Sequence, residues 1–382
     1  MKKKQWILGL IVLIALAAII IWGRDRIHFD FAVFRAQLAG ADWTKIAIGF
    51  ACIYLAYVLR AFRWAMLMRH NKKVNPLSLV GTQVIGFTAV ALIGRVADPV
   101  RPYLVARRTA TDIGTQIAVY IVERLFDMGS MALIFSIAMF GVPSDEILKA
   151  TGHSGLVAKL AASHPDMAVI VARYGGLALT LAGAIFLVAV RLAGPAIATV
   201  LEGGLSAASR KLGHAVGNKI RAFHAGLDVM RSGADFAATA GLSVAMWVII
   251  ALAYLETCRA FNASPQLAAT SVQRCMLLMV ASGGASIFQL PIIGWLTQIG
   301  AVAAALVGIL GAGNEAATAC SAMLLLVTFL GIVPVGLVWA QVDHISLRQI
   351  TTESEVASEQ ATEVIEPDPV PDPKSESPTP AT

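Results

Sequence analysis

The eight residues Tyr120-Ile121-Val122-Glu123-Arg124-Leu125-Phe126-Asp127 place three charges in an apolar stretch that runs from 116 to 140. The rest of this stretch is hydrophobic enough to cross a membrane. One ionisable residue at mid-membrane costs about 2.5–3.5 kcal/mol even on lenient insertion scales, so three together are not expected to face lipid. The stretch therefore predicts a helix in a membrane protein that has a polar interior.

The composition of the whole chain also indicates a membrane protein. Of its 382 residues, 57% are hydrophobic and 14% are charged, and the mean hydropathy is +0.72. These values exclude a soluble domain and predict an all-α, polytopic transmembrane helical bundle of about seven to nine segments. The apolar stretches are 6–22, 44–66, 77–96, 116–140, 168–192, 236–258, 267–290, 297–311 and 316–340.

Charge divides the chain into two parts. Residues 341–382 contain nine acidic and two basic side chains, a balance of −7; since the whole chain carries +6, residues 1–340 carry +13. We expect 1–340 to form a transmembrane domain and 341–382, which is rich in Pro and Ser, to be a disordered acidic tail. A positive excess beside membrane spans is typical of cytoplasmic loops and does not indicate nucleic-acid binding.

The charges of the loops constrain the topology. If every apolar stretch crosses the membrane, the basic segments 98–115 and 194–235 lie outside and the nearly neutral loop 142–166 lies inside. All three placements conflict with the positive-inside rule. The conflicts vanish if 77–96 enters the membrane and returns to the cytoplasmic side. Its three glycines and the proline that follows fit such a broken, re-entrant helix, which needs protein or water beside it.

A second apolar unit, 277–294, also contains glycines and ends in a proline-containing break. If the crossings are counted with 77–96 as re-entrant, this unit is entered from the outside, and the C-terminal tail lies outside as well. Two broken elements in corresponding halves, entered from opposite faces, are typical of inverted-repeat transporters, whose site lies where the elements meet. We therefore predict a loose inverted repeat with two re-entrant broken helices.

Cationic residues flank the break that follows the stretch 77–96, which we call the first break. Asp98 and Pro99 suit a helix start, with Asp98 as the cap and Pro99 in the first turn. Arg101 does not suit a helix start, because the helix dipole disfavours a cation in the first turn. A cation beside free N–H groups predicts an anion site, for which lipid phosphate is the obvious ligand. Asp98 either caps the helix or joins this site. Arg60 and Arg63, on one helical face, either extend the phosphate-binding surface or snorkel to the cytoplasmic interface.

The charged stretch itself presents one polar face. Tyr120, Glu123 and Asp127 recur at helical spacing, and Arg124 follows Tyr120 by one turn. Two interpretations are open for this face. It lines a transport or substrate cavity, or its carboxylates hold an arginine elsewhere and only fix the packing, as buried ion pairs often do.

The second break runs through 289–298 and includes Pro291 and Gln298. It either lines the same cavity or is a plain turn of a helical hairpin. The sequence shows no metal-ligand spacing and no nucleophile motif. We therefore expect no catalytic residue, no metal site and no cofactor.

Three spaced motifs carry a resemblance to a known family. They are Arg60-Ala-Phe-Arg63, Gly94-Arg-Val-Ala-Asp98-Pro-Val-Arg101-Pro and Val122-Glu-Arg-Leu-Phe-Asp127. Together they resemble the flippase-like integral membrane family of the transmembrane region of lysylphosphatidylglycerol synthases, over about 5–340. The chain departs from the family where Ala97 and Asp98 stand for the common Gly-Glu. In the second break, Gln298 stands about where the family has Glu.

The resemblance implies a protein of the bacterial cytoplasmic membrane that moves anionic phospholipids or polyisoprenoid-linked lipids between leaflets. Membrane lipids are then its partners. Lysyl transfer is not expected, because a disordered tail follows the membrane region. Two alternatives stay open. One is a membrane-embedded transferase acting on a polyprenyl phosphate, with Asp98, Glu123 or Asp127 as base or metal ligand; the other is a non-transporting scaffold whose partner is a cell-envelope synthase.

Overall fold

The structure is a computed structural model that describes residues 30–69, 71–151, 162–206, 232–285 and 293–345. The predicted first span 6–22, Pro291 and nearly all of the tail 341–382 lie outside these residues. Within the described ranges the chain is helical and contains no strand. The helices are α1 Phe31–Ala39, α2 Trp43–Met68, α3 Val80–Ile93, α4 Val100–Thr109, α5 Ile113–Met139, α6 Ser144–Thr151, α7 Pro165–Ser206, α8 Gly233–Arg259, α9 Pro265–Ala268, α10 Val272–Ala285, α11 Ile293–Leu310, α12 Asn314–Leu325 and α13 Ile332–Val342.

Five helical segments in the described ranges are long and apolar enough to cross a membrane. They are Trp43–Met68, Pro76–Ile93, Pro165–Phe186, Gly233–Arg259 and Asn314–Val342. Val272–Gly283 and Gly294–Leu310 are shorter apolar helices. The prediction of an all-α, multi-pass membrane protein is therefore confirmed, while the exact number of crossings stays a prediction.

Short polar residues fix where the long helices begin. Asp42 accepts hydrogen bonds from two backbone N–H groups in the first turn of α2. Asp112 does the same for one N–H group of α5, and Ser232 for one of α8. Each cap satisfies donors that have no partner inside the helix, and this requirement is severe near a membrane.

Helices α2 and α8 pack closely and run antiparallel. Near one end, a Cβ added to Gly49 would lie 2.9 Å from Thr257 Oγ1. Near the other end, Arg63 Nη1 donates a hydrogen bond to Ser243 Oγ at 2.8 Å. This register places Arg60 and Arg63 of α2 level with the first half of α8, and residues near 53 level with residues near 254.

The first break makes α3 and α4 a hairpin. Helix α3 ends at Gly94, which adopts a φ of 95° that favours glycine. Helix α4 then runs back along α3, so that Arg101 lies beside Gln83. At the end of α4, the carbonyl of Thr109 accepts a hydrogen bond from Lys72 Nζ at 2.5 Å. The hairpin thus returns to the end of the bundle from which it started, although its position relative to a bilayer stays a prediction.

Of the two roles left open for Asp98, capping of the helix is wrong. Helix α4 begins at Val100, Pro99 is its N-cap residue, and no side chain bonds to its free N–H groups. The carboxylate of Asp98 instead accepts a hydrogen bond from Arg124 on α5 at 3.0 Å. In the bond to Arg124 both partners are ionised, whereas in a cap only the carboxylate is.

The second broken unit touches the first. Helices α10 and α11 pack against each other on either side of the undescribed residues 286–292. Trp295, in the first turn of α11, donates a hydrogen bond from Nε1 to the carbonyl oxygen of Ala91 at 3.1 Å. Ala91 lies three residues before Gly94, so the start of α11 lies against the end of α3. The inverted repeat itself stays a prediction.

The hairpin depends on a close approach at Gly86. A Cβ at this position would overlap Cγ of Arg101, whose side chain is held by Gln83 and Glu123 and cannot move aside. We predict that Gly86→Ala lowers the stability by about 1–3 kcal/mol, as overpacking of buried sites does. Thermal unfolding in detergent, followed by tryptophan fluorescence, measures this loss.

Gly183→Ala in α7 is the matched control, because nothing lies within 4 Å of its added Cβ. Alanine is the better helix former, so this variant should be as stable as the parent or slightly more stable. Equal unfolding temperatures for Gly86→Ala and Gly183→Ala would contradict the described packing of α3 on α4.

Candidate functional site

Glu123 on α5 is the centre of a buried ion cluster that joins three helices. Its Oε1 accepts a hydrogen bond from Arg63 Nη2 of α2 at 2.6 Å. Its Oε1 and Oε2 accept from Arg101 Nη2 of α4 at 2.9 Å and 2.6 Å. Only 1% of Glu123 is exposed. Charge-assisted bonds of this length are among the strongest in proteins.

Asp127, one turn further along α5, has three donors. Arg63 Nη1 lies 2.6 Å from its Oδ1, and Trp247 Nε1 of α8 lies 3.2 Å from the same oxygen. Arg60 Nη1 lies 3.5 Å from Oδ2 and 3.6 Å from Oε1 of Glu123. Arg63 therefore bridges both carboxylates tightly, whereas Arg60 contacts them loosely.

Arg101 is completely buried and is held from several sides. Its Nε donates to Gln83 Oε1 at 3.1 Å. Its guanidinium carbon lies 4.4 Å from the ring centre of Phe87, 5.2 Å from that of Trp64 and 5.7 Å from that of Tyr120. Cation–π contacts of this kind stabilise a desolvated guanidinium. Arg101 thus binds a carboxylate between aromatic rings, whereas the sequence predicted a phosphate ligand for it.

The cluster carries a surplus of positive charge. Arg60, Arg63 and Arg101 are all buried and face two carboxylates, Glu123 and Asp127. A buried charge without a partner costs several kcal/mol. The surplus falls on Arg60, which has the longest contacts and is the most exposed of the three arginines, at 8%.

A cavity of about 780 Å³ adjoins the cluster. Its cationic end, as we call it, consists of Arg60, Arg95 and Arg124, with Asp127 between them. Arg124 Nη2 is bonded to Asp98 at 3.0 Å, and its Nη1 lies 4.0 Å from Asp127 Oδ2. Three guanidinium groups at one end of a cavity suit an anion that accepts several hydrogen bonds, such as a phosphate.

The remaining walls of the cavity are apolar or neutral. The apolar part includes flexible methionines from α5 and α10, which adapt to irregular ligands: Met128, Met131 and Met279. The neutral polar part comes from α8, α10, α11 and the π-helical turn Leu326–Leu330 that follows α12. Its members are Tyr254, Ser282, Gln298 and Thr328, and Tyr57 of α2 also lines the cavity. The cavity is therefore amphipathic.

The structure brings most of the predicted site residues to this region. Those that line the cavity are Arg60, Arg124, Asp127 and Gln298. Those that lie behind its wall in the ion cluster are Arg63, Arg101 and Glu123. Asp98 holds Arg124, and the ring of Tyr120 lies beneath the Arg124 guanidinium at 4.9 Å. Pro291 lies outside the described residues.

Sequence reasoning missed several partners. Gln83, Ser243 and Trp247 each bond to a charged member of the cluster. Ser243 and Trp247 lie one turn apart on α8, and Gln83 is a lone amide in an apolar helix. The available signal was a pair of polar side chains one helical turn apart within a span. This signal is weak, because single serines and tryptophans are common in such helices.

An all-α membrane bundle with an ion cluster inside it defines an integral membrane protein with a polar interior. The family described as the lysylphosphatidylglycerol synthase TM region matches residues 6–336, and the chain belongs to this family. The family resemblance of the three motifs is thereby confirmed. No curated protein and no solved structure matches the chain. Membership indicates a membrane protein of lipid-related cell-envelope processes.

The ion cluster predicts unequal effects of removing its acids. Glu123→Gln leaves the buried Arg101 without a charged partner and leaves Arg63 with Asp127 alone, and we expect a loss of about 3–5 kcal/mol of stability. Asp98→Asn breaks a pair whose side chains are 28% and 16% exposed, and such pairs contribute about 0–1 kcal/mol. Thermal unfolding of both variants in detergent tests the difference.

A double-mutant cycle uses Glu123→Gln, Arg101→Gln and the double variant that carries both substitutions. If the two side chains interact as described, the double variant is more stable than the sum of the single losses predicts. Additive losses, or equal losses for Glu123→Gln and Asp98→Asn, would refute the described pairing.

Proposed function

We propose that this protein moves an anionic phospholipid or a polyisoprenoid-linked lipid from one leaflet of the bacterial cytoplasmic membrane to the other. The observation that carries this proposal is the cavity of about 780 Å³ with guanidinium groups at one end and apolar walls elsewhere. A lipid has the same division into an anionic head and apolar tails. Family membership supports a lipid-related role.

Arg60 is the best ligand for the phosphate. Its contacts to Asp127 and Glu123 are 3.5 Å and 3.6 Å, whereas Arg63 holds the same carboxylates at 2.6 Å. An entering phosphate therefore displaces Arg60 from its weak contacts without leaving either carboxylate unpaired. Arg124 offers a second guanidinium on the same wall, and paired guanidinium groups recognise phosphate oxygens with directional bonds.

The size of the cavity suits a head group together with part of the tails. Small-molecule sites enclose about 300–1,000 Å³, and the cavity lies within this range. The methionine-lined wall provides an apolar surface for the upper part of the acyl or polyprenyl chains, which extend into the bilayer. The head group then crosses in a polar environment while the tails stay among lipids.

The meeting of the two broken units suggests how the cavity opens. Arg95, in the first break, lines the cavity, and Trp295, in the first turn of α11, bonds to Ala91 beside the first break. In inverted-repeat transporters, one repeat rocks against the other around a site at this position. We propose the same motion here, with the hairpins re-entrant from opposite faces.

We propose no covalent step. Glu123 and Asp127 accept bonds from arginines at 2.6 Å, and a carboxylate held in this way is a poor base. These pairs disfavour the transferase alternative. Membrane lipids are the partners that the mechanism requires, and a cell-envelope synthase would be a partner only if the protein acted as a scaffold.

The proposal predicts lipid exchange that depends on the cationic end. In proteoliposomes, wild type should speed leaflet exchange of a fluorescent phosphatidylglycerol, and Arg60→Gln and Arg124→Gln should each slow it about tenfold, the effect of one lost charged hydrogen bond. The matched control is Arg173→Gln. Arg173 lies on α7 and bonds to the carbonyl of Val142 and to Ser144, away from the cavity.

Three outcomes would contradict the proposal. If wild type is no faster than protein-free liposomes with any anionic lipid, the protein is not a translocase of such lipids. If Arg60→Gln and Arg124→Gln match Arg173→Gln, the site is wrong. If mass spectrometry shows a chemically altered lipid and chelators stop its formation, the transferase alternative replaces the proposal.

A further inference from the structure

The cavity has a second polar end, which the phosphate does not use. We call Tyr254, Ser282, Gln298 and Thr328 the hydroxyl–amide end. Tyr254 and Ser282 share a hydrogen bond of 2.9 Å between their hydroxyl oxygens, and Gln298 Nε2 lies 3.4 Å from Ser282 Oγ. Gln298 Oε1 is buried and has no hydrogen-bond partner among the residues that the structure describes.

The two ends are separated along the bundle. Trp247 of α8 bonds to Asp127 at the cationic end, and Tyr254 lies seven residues further along the same helix. Seven residues of α-helix rise about 10 Å. A bare phosphate therefore contacts only one end, and a ligand that satisfies both needs a further polar group beyond its phosphate.

The chemistry of the hydroxyl–amide end selects that group. An unpaired buried acceptor such as Gln298 Oε1 costs about 1–3 kcal/mol, which a ligand donor recovers. A ligand ammonium is a poor donor here, because the described charged residues of the cavity lining are three arginines and one aspartate that is already bonded. A neutral hydroxyl donates to the amide oxygen of Gln298 and also accepts from the hydroxyl of Ser282. The hydroxyl of Thr328 already donates to the carbonyl oxygen of Leu324 at 2.6 Å, so it can only accept from a ligand.

We infer that the hydroxyl–amide end is a subsite for a polyol head group of sugar size, attached to the lipid through a phosphodiester. This inference rests on the proposed function and names its substrate class. The phosphodiester lies at the cationic end, and the ring hydroxyls reach Gln298 and Ser282. Both diacyl lipids and polyprenyl lipids carry such head groups.

Three lipids with one phosphodiester each test the inference. Phosphatidylinositol and a polyprenyl phosphohexose carry ring hydroxyls, whereas phosphatidylmethanol has the same charge as phosphatidylinositol and no hydroxyl on its head group. Binding to the full chain is measured as the lipid concentration that half-maximally raises the unfolding temperature in detergent micelles. We expect at least one polyol lipid to bind about tenfold more tightly than phosphatidylmethanol, as one or two hydrogen bonds allow.

Variants assign the preference to the subsite. Gln298→Leu should weaken binding of the preferred polyol lipid to the level of phosphatidylmethanol and leave phosphatidylmethanol unchanged. Ser282→Ala should act in the same direction and provides the test if Gln298→Leu does not fold. The control is Ser321→Ala, which removes a buried hydrogen bond to Ile299 outside the cavity and should leave both affinities unchanged.

The outcomes separate this inference from the proposed function. Equal binding of all three lipids by wild type overturns the subsite, even if exchange in proteoliposomes proceeds. Equal weakening of polyol lipid and phosphatidylmethanol by Gln298→Leu and Ser282→Ala also overturns it, because the effect is then structural. A polyol preference without leaflet exchange leaves the subsite standing and overturns the translocase.

Discussion

The paired guanidinium groups around Glu123 are the interaction on which the rest of the structure depends. Helices in a membrane gain no hydrophobic free energy from packing against each other rather than lipid, so directional polar contacts decide much of their arrangement. Glu123 connects α5 to α2 through Arg63 and to α4 through Arg101. Moving α4 away from α5 would leave both Glu123 and Arg101 short of a partner. The ten-residue α4 is therefore held in the bundle by the charge of Arg101 as well as by its buried apolar side chains.

The same cluster separates cations that maintain the fold from cations that are available to a ligand. Arg63 and Arg101 lie 2.6 Å from their carboxylates and do not line the cavity. Arg60 lies 3.5 Å from Asp127 and faces the cavity. An anion in the cavity therefore competes with a weak contact and not with a strong one. Because of the surplus positive charge, an anion that binds as proposed completes the charge balance of the site instead of disturbing it.

Part of this could be predicted from the sequence, and the limit is physical. The cost of exposing Glu123 and Asp127 to lipid does not depend on the fold, so the polar interior could be predicted from the residues alone. The family could be recognised from its three motifs. The partner of each charge does depend on the fold. Arg101 was expected at a phosphate because the fold-back of α4 along α3, which brings it to Glu123, leaves no local pattern. Trp247 lies one turn from Ser243 on α8, but single serines and tryptophans are common in membrane helices, so this spacing did not mark either residue as a partner of the cluster.

The two ends of the cavity belong to different halves of the chain. The cationic end comes from α2, the first break and α5, and the hydroxyl–amide end comes from α8, α10, α11 and the π-helical turn. A ligand shifts a conformational equilibrium only if its contacts differ between the two states. A lipid that reaches both ends has such contacts, since relative motion of the halves changes their separation. A lipid that engages the arginines alone moves with one half, so it does not shift the equilibrium between the two conformations. If the protein works as proposed, recognition of the head group is therefore what drives transport.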